Sequence, residues 1–245
     1  MDAVIETRNL TKRYHDVMAV DGLDLVVEKG SLSALLGGNG AGKTTTLSML
    51  LGLLIPTSGE IRVFGEDFVA NRFPALSRMN FSSPYADLPQ RLTVRENLTV
   101  YAKLYGFSKP KPIVERLAEE LQLTEFLGRR VRRLSSGQKT RVSLAKAFVN
   151  EPDLLLLDEP TASLDPETAS WIRDFLHSYC RQRGATVLFA SHDMGEVERL
   201  CEDVILLRRG KLVERGSPKE LIDRFGRQTL EDVFLDVARG GEETK

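Results

Sequence analysis

The sequence predicts an α/β fold in which helices cover both faces of a parallel β-sheet. Two continuous apolar runs, residues 154–157 and 186–190, have the pattern of central strands in such a sheet. The first 35 residues read as further strands, whereas residues 93–150 carry apolar side chains at helical spacing. With 245 residues, 42% of them hydrophobic, the chain can bury the core of one α/β domain with an inserted lobe or of two small domains.

The predicted strands are short apolar or alternating runs bounded by turn residues. In chain order they cover residues 3–27, 31–36, 60–64, 154–157, 186–190, 204–207 and 211–214, the last two forming a hairpin around Arg209-Gly210.

The predicted helices follow the first glycine-rich loop and fill the lobe between the two strand regions. They cover residues 45–54, a stretch beginning near Thr93, then 113–121 and 139–148, with Pro110 and Pro112 interrupting the lobe. The last ten or so residues read as a frayed tail.

Composition excludes several classes of protein. A net charge of −1 provides no overall field that would gather nucleic acid or acidic lipid. Cys180 and Cys201 stand in no motif, which favours a reducing compartment. The N-terminus is charged rather than signal-like, and no apolar run approaches the length of a membrane span. We therefore expect a cytosolic chain, unless a partner holds it at a membrane.

A local basic run in the helical lobe has two interpretations. Its members are Arg129, Arg130, Arg132 and Arg133. Aromatic residues do not interleave with these arginines, as a stacking platform for nucleic acid would need. A solvated surface is therefore favoured over a nucleic-acid patch.

Residues 37–44 read Gly-Gly-Asn-Gly-Ala-Gly-Lys-Thr, with a predicted strand before them and a helix after them. This pattern and context predict a phosphate-binding loop rather than a glycine-rich turn that binds nothing. Its backbone N–H groups would point at phosphate oxygens, Lys43 would reach the β- and γ-phosphates, and the Thr44 hydroxyl would bind Mg²⁺. The candidate nucleotide-binding residues here are Gly37, Gly38, Asn39, Gly40, Ala41, Gly42, Lys43, Thr44 and Thr45.

Two carboxylates follow the apolar run at 154–157. Asp158 lies at the carboxyl end of a buried strand, where it can hold Mg²⁺ beside Thr44. Glu159 is placed to orient or deprotonate a water that attacks the γ-phosphate. The alternative, in which both acids merely cap the next segment, is disfavoured by the phosphate loop.

Residues 134–138 read Leu-Ser-Ser-Gly-Gln and precede the predicted helix at 139–148. Such a turn offers free N–H groups, hydroxyls and the positive end of a helix dipole, so it is a second candidate anion site. Taken alone it is also consistent with an ordinary N-cap formed by Ser135 or Ser136.

The order of these motifs resembles that of the nucleotide-binding subunits of ABC transporters, over nearly the whole chain. Phosphate loop, signature sequence, Walker B strand, D-loop and switch histidine correspond to residues 37–44, 134–138, 154–160, 163–165 and 191–193. The resemblance implies a P-loop NTPase (RecA-like) core with an N-terminal antiparallel β subdomain and an inserted α-helical subdomain. It places the ATPase domain at residues 1–225, with its core at 1–84 and 151–225 and its helical subdomain at 85–150. Residues 226–245 would be a short C-terminal helix and tail.

The resemblance further implies a head-to-tail dimer with two ATP molecules at its interface. Each ATP, with Mg²⁺, would lie between the phosphate loop of one subunit and Ser135, Ser136, Gly137 and Gln138 of the other. Ser136 stands where the family usually has glycine, so it adds a Cβ near the phosphate. We expect altered affinity there rather than loss of function, since Gly137 is retained.

Matching the family's motifs assigns roles to further residues. Tyr14 would stack on adenine, although a strand tyrosine in the core is an alternative, and Val20 would pack near the same ring. Asp165 would contact the partner subunit and help to shape the water site. His192 would bond the γ-phosphate and link to Glu159, so that the catalytic set is Glu159, His192 and Lys43.

One expected residue is missing from its usual place. Matching residues 79–81 to the strand before the family's Q-loop places Pro84 where a glutamine is usual, and Gln90 lies too far along. Ser82 or Ser83 would substitute weakly, or hydrolysis would be slower.

The family places a separate membrane permease against the groove between core and helical lobe, which residues 85–93 would line. Residues 226–238 resemble the short C-terminus of ABC-2 type exporter ATPases, and they are also consistent with an amphipathic helix packing on its own domain. We therefore expect an ATPase on the cytoplasmic face of a membrane that drives export, without a nucleic-acid partner. The alternatives are a soluble ABC ATPase of DNA repair, Fe–S assembly or translation, and a regulatory ATP sensor that hardly hydrolyses.

Overall fold

The computed structural model of the chain describes residues 2–83, 88–161 and 164–239, with the backbone alone for Arg239. Its strands in chain order are β1 Ala3–Tyr14, β2 Val17–Glu28, β3 Leu32–Leu36, β4 Ser58–Val63, β5 Glu66–Asp67, β6 Met79–Ser82, β7 Leu154–Asp158, β8 Thr186–Ser191, β9 Asp203–Arg208 and β10 Lys211–Gly216. Its α-helices are α1 Lys43–Leu50, α2 Phe73–Ser77, α3 Val94–Leu104, α4 Pro110–Glu120, α5 Ser136–Ala147, α6 Pro166–Arg183, α7 Met194–Leu200, α8 Pro218–Phe225 and α9 Leu230–Arg239. The predicted α/β class is confirmed.

The described strands form two sheets. Four antiparallel strands near the N-terminus pair in the order β2-β1-β4-β5, and six strands pair in the order β10-β9-β3-β8-β7-β6. In the larger sheet, β10 is antiparallel to β9 and the other neighbours are parallel. Every residue of β3, β7 and β8 is buried, as expected for central strands covered on both faces.

The register of the larger sheet brings three chain segments to one edge. Leu36 at the end of β3 pairs with Ser191 at the end of β8, and Asp158 at the end of β7 pairs with Ala190. The segments that follow these strands contain the phosphate loop, Glu159 and His192. Parallel sheets bind ligands at the carboxyl ends of their strands, so this edge is the expected place for a site.

The helical lobe lies between β6 and β7, as predicted, but its helices begin elsewhere. Pro110 and Pro112 do not interrupt the lobe; they lie in the first turn of α4. Helical residues there need no backbone N–H partner, so proline is tolerated. Likewise α5 begins at Ser136 rather than at residue 139, because Ser135 and Gln138 form a capping box. The first helix also differs, covering Lys43–Leu50 instead of residues 45–54.

The core consists of two apolar clusters, one on each face of the larger sheet, and the C-terminal helices pack against one of them. In α9, Leu230 is 0% exposed and Val233 is 1% exposed. Cys180 and Cys201 are buried free thiols. Within the part of the chain that the structure describes, no helix has the length and apolarity to cross a bilayer.

Candidate nucleotide-binding site

The phosphate loop follows β3 and is closely packed against other segments. A Cβ on Gly37 would lie 2.6 Å from the carbonyl oxygen of Leu207 and 2.7 Å from Ala41 Cβ. Gly42 has φ 104°, and a Cβ there would lie 2.6 Å from the carbonyl oxygen of Ala19. Side chains are excluded at both positions by packing, and at Gly42 the positive φ also favours glycine.

Lys43 begins α1, and its side chain folds back over the loop. Its Nζ donates to the carbonyl oxygen of Gly37 at 2.6 Å and to that of Gly38 at 3.2 Å. Burial lowers the pKa of Lys43, while the negative charges of Glu159 and Asp158 act to raise it. The ammonium group is therefore held at the mouth of the loop with carboxylates facing it.

Two carboxylates complete one wall of the same cavity. Asp158 is 5% exposed, and its pKa is raised by burial and by Glu159, with Lys43 opposing the shift. Glu159 has φ 51°, an uncommon conformation for a residue with a side chain, and its N–H donates to the carbonyl oxygen of Ala190 at 2.9 Å. Together with residues 38–45, the two acids line a cavity of about 330 Å³.

His192 follows β8 and meets Glu159 directly. Its Nδ1 lies 2.6 Å from Glu159 Oε1, and its side chain is 63% exposed whereas that of Glu159 is 16% exposed. The imidazole therefore holds one carboxylate oxygen and still reaches solvent. The structure thus brings together Lys43, Asp158, Glu159 and His192, which are far apart in sequence.

The side chains that line the cavity could hold Mg²⁺ only together with oxygen atoms from a bound ligand. Thr44 offers an exposed hydroxyl and Asp158 a carboxylate, both oxygen ligands of the kind that Mg²⁺ prefers. In the described ranges, no group of three or more His, Cys, Asp or Glu residues could hold a metal ion by itself. Bound Mg²⁺ would therefore need oxygens from a phosphate group and water, as is usual for this ion.

The signature residues lie at the start of α5. The Ser135 hydroxyl accepts from the Gln138 N–H at 3.3 Å, and the Gln138 Oε1 accepts from the Ser135 N–H at 3.1 Å. Ser135 is thus the N-cap that the alternative interpretation allowed, and the helix begins with exposed Ser136 and half-buried Gly137. Among the residues described, none of 135–138 lines the phosphate-loop cavity.

The D-loop lies beside this turn in the same chain. Asp165 caps α6 by accepting from the Thr168 N–H at 2.9 Å, and this hydrogen bond lowers the pKa of its carboxyl group. A Cβ on Gly137 would lie 3.5 Å from the Thr168 side chain. Ser163 lies outside the described residues.

Tyr14 and Val20 have different environments. Tyr14 is 43% exposed at the end of β1, so it is not a core tyrosine, and Lys12 Nζ lies 5.2 Å from its ring centroid. Val20 is 1% exposed, and its Cγ2 is 3.4 Å from the place of a Cβ on Gly42. The ring is available to a ligand, whereas the Val20 side chain packs beneath the phosphate loop.

The predicted Q-loop position, Pro84, lies outside the described residues, but the strand before it is clear. Ser82 ends β6, and its hydroxyl is 2.8 Å from that of Ser143 in α5. Lys146 Nζ donates to the carbonyl oxygen of Phe81 at 2.6 Å, and burial lowers its pKa. These two contacts connect the end of β6 to α5, the helix that begins at the signature residues.

Sequence reasoning missed Glu196. Its Oε2 accepts a hydrogen bond from the Thr161 hydroxyl, and burial raises the pKa of its carboxyl group. This bond joins the segment after β7 to α7, whereas the Glu159–His192 contact joins the same segment to the residues between β8 and α7. The spacing of Asp193 and Glu196, which is that of a helix N-cap and its third residue, was the available signal.

Comparison with known proteins agrees with this arrangement. The sequence profile described as ABC transporter matches residues 20–162. Similar proteins include a bacitracin transport ATP-binding protein of Bacillus licheniformis, which is 38% identical over 96% of this chain and 76% of its own. A Nod factor export ATP-binding protein of Cupriavidus metallidurans is 40% identical over 91% of this chain and 74% of its own. A solved structure described as the ATP binding subunit of an ABC transporter superposes with a TM-score of 0.86 at 26% identity, covering 96% of this chain and 99% of that one. The chain therefore belongs to the ABC transporter family.

Proposed function

We propose that this chain is the ATP-hydrolysing subunit of an exporter and works with a separate membrane permease. The observation that carries the proposal is the Glu159–His192 contact of 2.6 Å at the sheet edge that also holds the phosphate loop. ATP-binding subunits of this family are ATPases coupled to transport. The similar proteins named for bacitracin transport and for Nod factor export support export as the direction.

The loop and its lysine would bind the triphosphate. Backbone N–H groups at the start of α1 and the Lys43 ammonium would contact the β- and γ-phosphate oxygens, exchanging the carbonyl contacts of Lys43 for phosphate contacts. Thr44 and Asp158 would hold Mg²⁺, which when bound neutralises charge on the phosphate oxygens. Tyr14 would stack on adenine, and buried Val20 would support the loop from below.

Glu159 would act on the attacking water. Its carboxylate would orient the water and accept its proton, a contribution of about 10²–10⁴-fold for a positioned general base. His192 would keep the carboxylate in place through Nδ1 and contact the γ-phosphate with its exposed side. The uncommon backbone conformation of Glu159 aims this side chain into the cavity.

A second chain would complete each site. Ser135 and Ser136 are exposed, Gly137 and Gln138 are half-buried, and none of the four lines the cavity of its own chain, which supports a head-to-tail arrangement. Ser135, Ser136, Gly137 and Gln138 of one subunit would contact ATP bound to the other, with Asp165 at the same interface.

The domain division and the location follow from the same proposal. Residues 1–225 would be the ATPase domain, with its core at 1–84 and 151–225 and its helical subdomain at 85–150, and 226–245 would be the C-terminal helix and tail. The permease would hold this subunit on the cytoplasmic face of the membrane.

Steady-state ATPase assays of Glu159→Gln test the proposal. We expect at least a tenfold loss of turnover, with ATP affinity retained. Glu119→Gln, an exposed change in α4, is the matched control and should keep wild-type turnover.

The Glu159→Gln protein should also dimerise with saturating ATP, as measured by light scattering. Wild-type turnover in Glu159→Gln would rule out Glu159 as the base, and a monomer at saturating ATP would count against the two-chain site. Co-purification with a polytopic membrane protein distinguishes a transporter subunit from a soluble ATPase.

A further inference from the structure

The C-terminal helix α9 lies beside the phosphate loop and lines a small cavity together with it. A Cβ on Gly38 would lie 3.6 Å from Phe234 Cζ. Loop residues 38–41 also line a second cavity of about 200 Å³, whose other wall includes Phe234 and Val237. Loop residues 38–41 therefore border both the nucleotide cavity and the cavity beside α9.

Helix α9 is fixed at both ends. At its start, the Leu230 N–H donates to Glu198 Oε2 in α7 at 3.2 Å, and the side chains of Leu230 and Val233 are buried. Near its other end, Arg208 Nη1 at the end of β9 donates to the carbonyl oxygen of Val237 at 2.5 Å. The helix therefore spans from α7, the helix that follows His192, to the strand whose end borders Gly37.

Phe234 approaches the loop at a place where the loop has few packed side chains of its own. Gly38 and Gly40 have no side chains to pack, and Asn39 and Gly40 are exposed. Glycines lose much conformational freedom when they are ordered, so a loop of this kind binds more tightly if neighbouring groups already hold its shape. Gly38 also supplies one of the two carbonyl oxygens that hold Lys43.

We propose that Phe234 is a positioning residue for nucleotide binding. It holds the phosphate loop at Gly38 from outside, and through α9 it links that loop to the helix after His192. Phe234 touches neither the phosphates nor the reacting water, so its loss should weaken ATP binding and leave the hydrolytic step intact. This inference rests on the proposed function, because it presumes that the loop binds ATP.

The test compares Phe234→Ala and Phe234→Leu with Leu235→Ala. Leu235 is the next residue of the same helix and is 39% exposed, so its variant controls for changes in helix α9 itself. For each full-length protein, the ATP dissociation constant is measured with Mg²⁺ present, together with KM and kcat. Thermal unfolding without nucleotide records whether the fold is retained.

We expect Phe234→Ala to raise the dissociation constant and KM about fivefold or more, equivalent to about 1 kcal/mol of binding free energy, with kcat within about twofold of wild type. Phe234→Leu should produce a smaller rise, because leucine restores part of the apolar contact, and Leu235→Ala should bind as wild type does. Equal ATP affinity in Phe234→Ala and Leu235→Ala would overturn the proposal. If Phe234→Ala does not fold, Phe234→Leu decides: raised values support the proposal, and affinity equal to that of Leu235→Ala overturns it.

The Lys43→Ala variant distinguishes a failure of this inference from a failure of the proposed function. If the wild-type chain does not bind ATP, or Lys43→Ala binds it equally well, the proposed function fails. If Lys43→Ala loses affinity while Phe234→Ala keeps it, the inference about Phe234 alone fails.

Discussion

Two adjacent glycines of the phosphate loop should differ in their sensitivity to the same substitution by alanine. A Cβ on Gly37 would lie 2.6 Å from the carbonyl oxygen of Leu207 and 2.7 Å from Ala41 Cβ, both closer than real Cβ contacts. On Gly38 the nearest atom would be Phe234 Cζ at 3.6 Å, an ordinary van der Waals distance. Neither glycine has a positive φ, so alanine fits the backbone conformation at both positions and packing alone distinguishes them.

The size of the expected free-energy change for Gly37→Ala follows from this clash. Forcing an extra carbon into a packed site costs about 1–3 kcal/mol, and at Gly37 the two neighbours are a backbone carbonyl oxygen and an alanine Cβ, neither of which can rotate away. We expect Gly37→Ala to lower the free energy of unfolding, the ATP affinity or both by a total of this size, which is about 5- to 150-fold in an equilibrium constant. Gly38→Ala should change the free energy of unfolding by less than about 0.5 kcal/mol, because its added Cβ meets no clash within the protein.

The assays are urea denaturation without nucleotide and equilibrium binding of ATP with Mg²⁺. Gly38→Ala serves as the matched control for the unfolding measurement because it adds the same methyl group one residue away. If Gly37→Ala behaves like wild type in both assays, or if Gly38→Ala lowers the free energy of unfolding more than Gly37→Ala does, the packing argument for this loop is wrong.

Two further predictions concern the carboxylates at this sheet edge. His192→Ala should reduce kcat about tenfold or more and leave ATP affinity within about threefold, because a hydrogen bond to a charged group contributes about 1.5–3 kcal/mol; unchanged kcat would show that Glu159 needs no such support. The raised pKa of Glu196 means that its contribution to stability is present below pH 4.5, its ordinary value, and is lost as pH rises through the folded-state pKa. Glu196→Gln removes that titration, so urea denaturation should find its stability improving relative to wild type from pH 4.5 towards pH 7; a difference that is constant with pH would contradict the cause given for the shift.

Several parts of the site could be predicted because their signals are local. The phosphate loop, the buried strand that ends at Asp158 and the capped turn at Ser135 are each contained within about ten residues. Glycine spacing, apolar runs and capping residues determine backbone conformation directly, so the strand and the two turns lie where they were predicted, while their binding roles stay predictions. The errors were at helix starts, where Pro110 and Ser136 belong to the first turn and not to the loop before it.

Other features depend on contacts between distant segments, which only the tertiary structure decides. The Glu159–His192 contact joins two strand ends through the pairing of β7 with β8, and the tight fit of Gly37 depends on Leu207. The close approach of Phe234 to the phosphate loop brings together positions near opposite ends of the chain. Short-range sequence patterns thus predicted which residues would carry the chemistry of this protein. The packing of strands and helices determined which of them meet, because the distance between remote residues is set by sheet register and buried contacts.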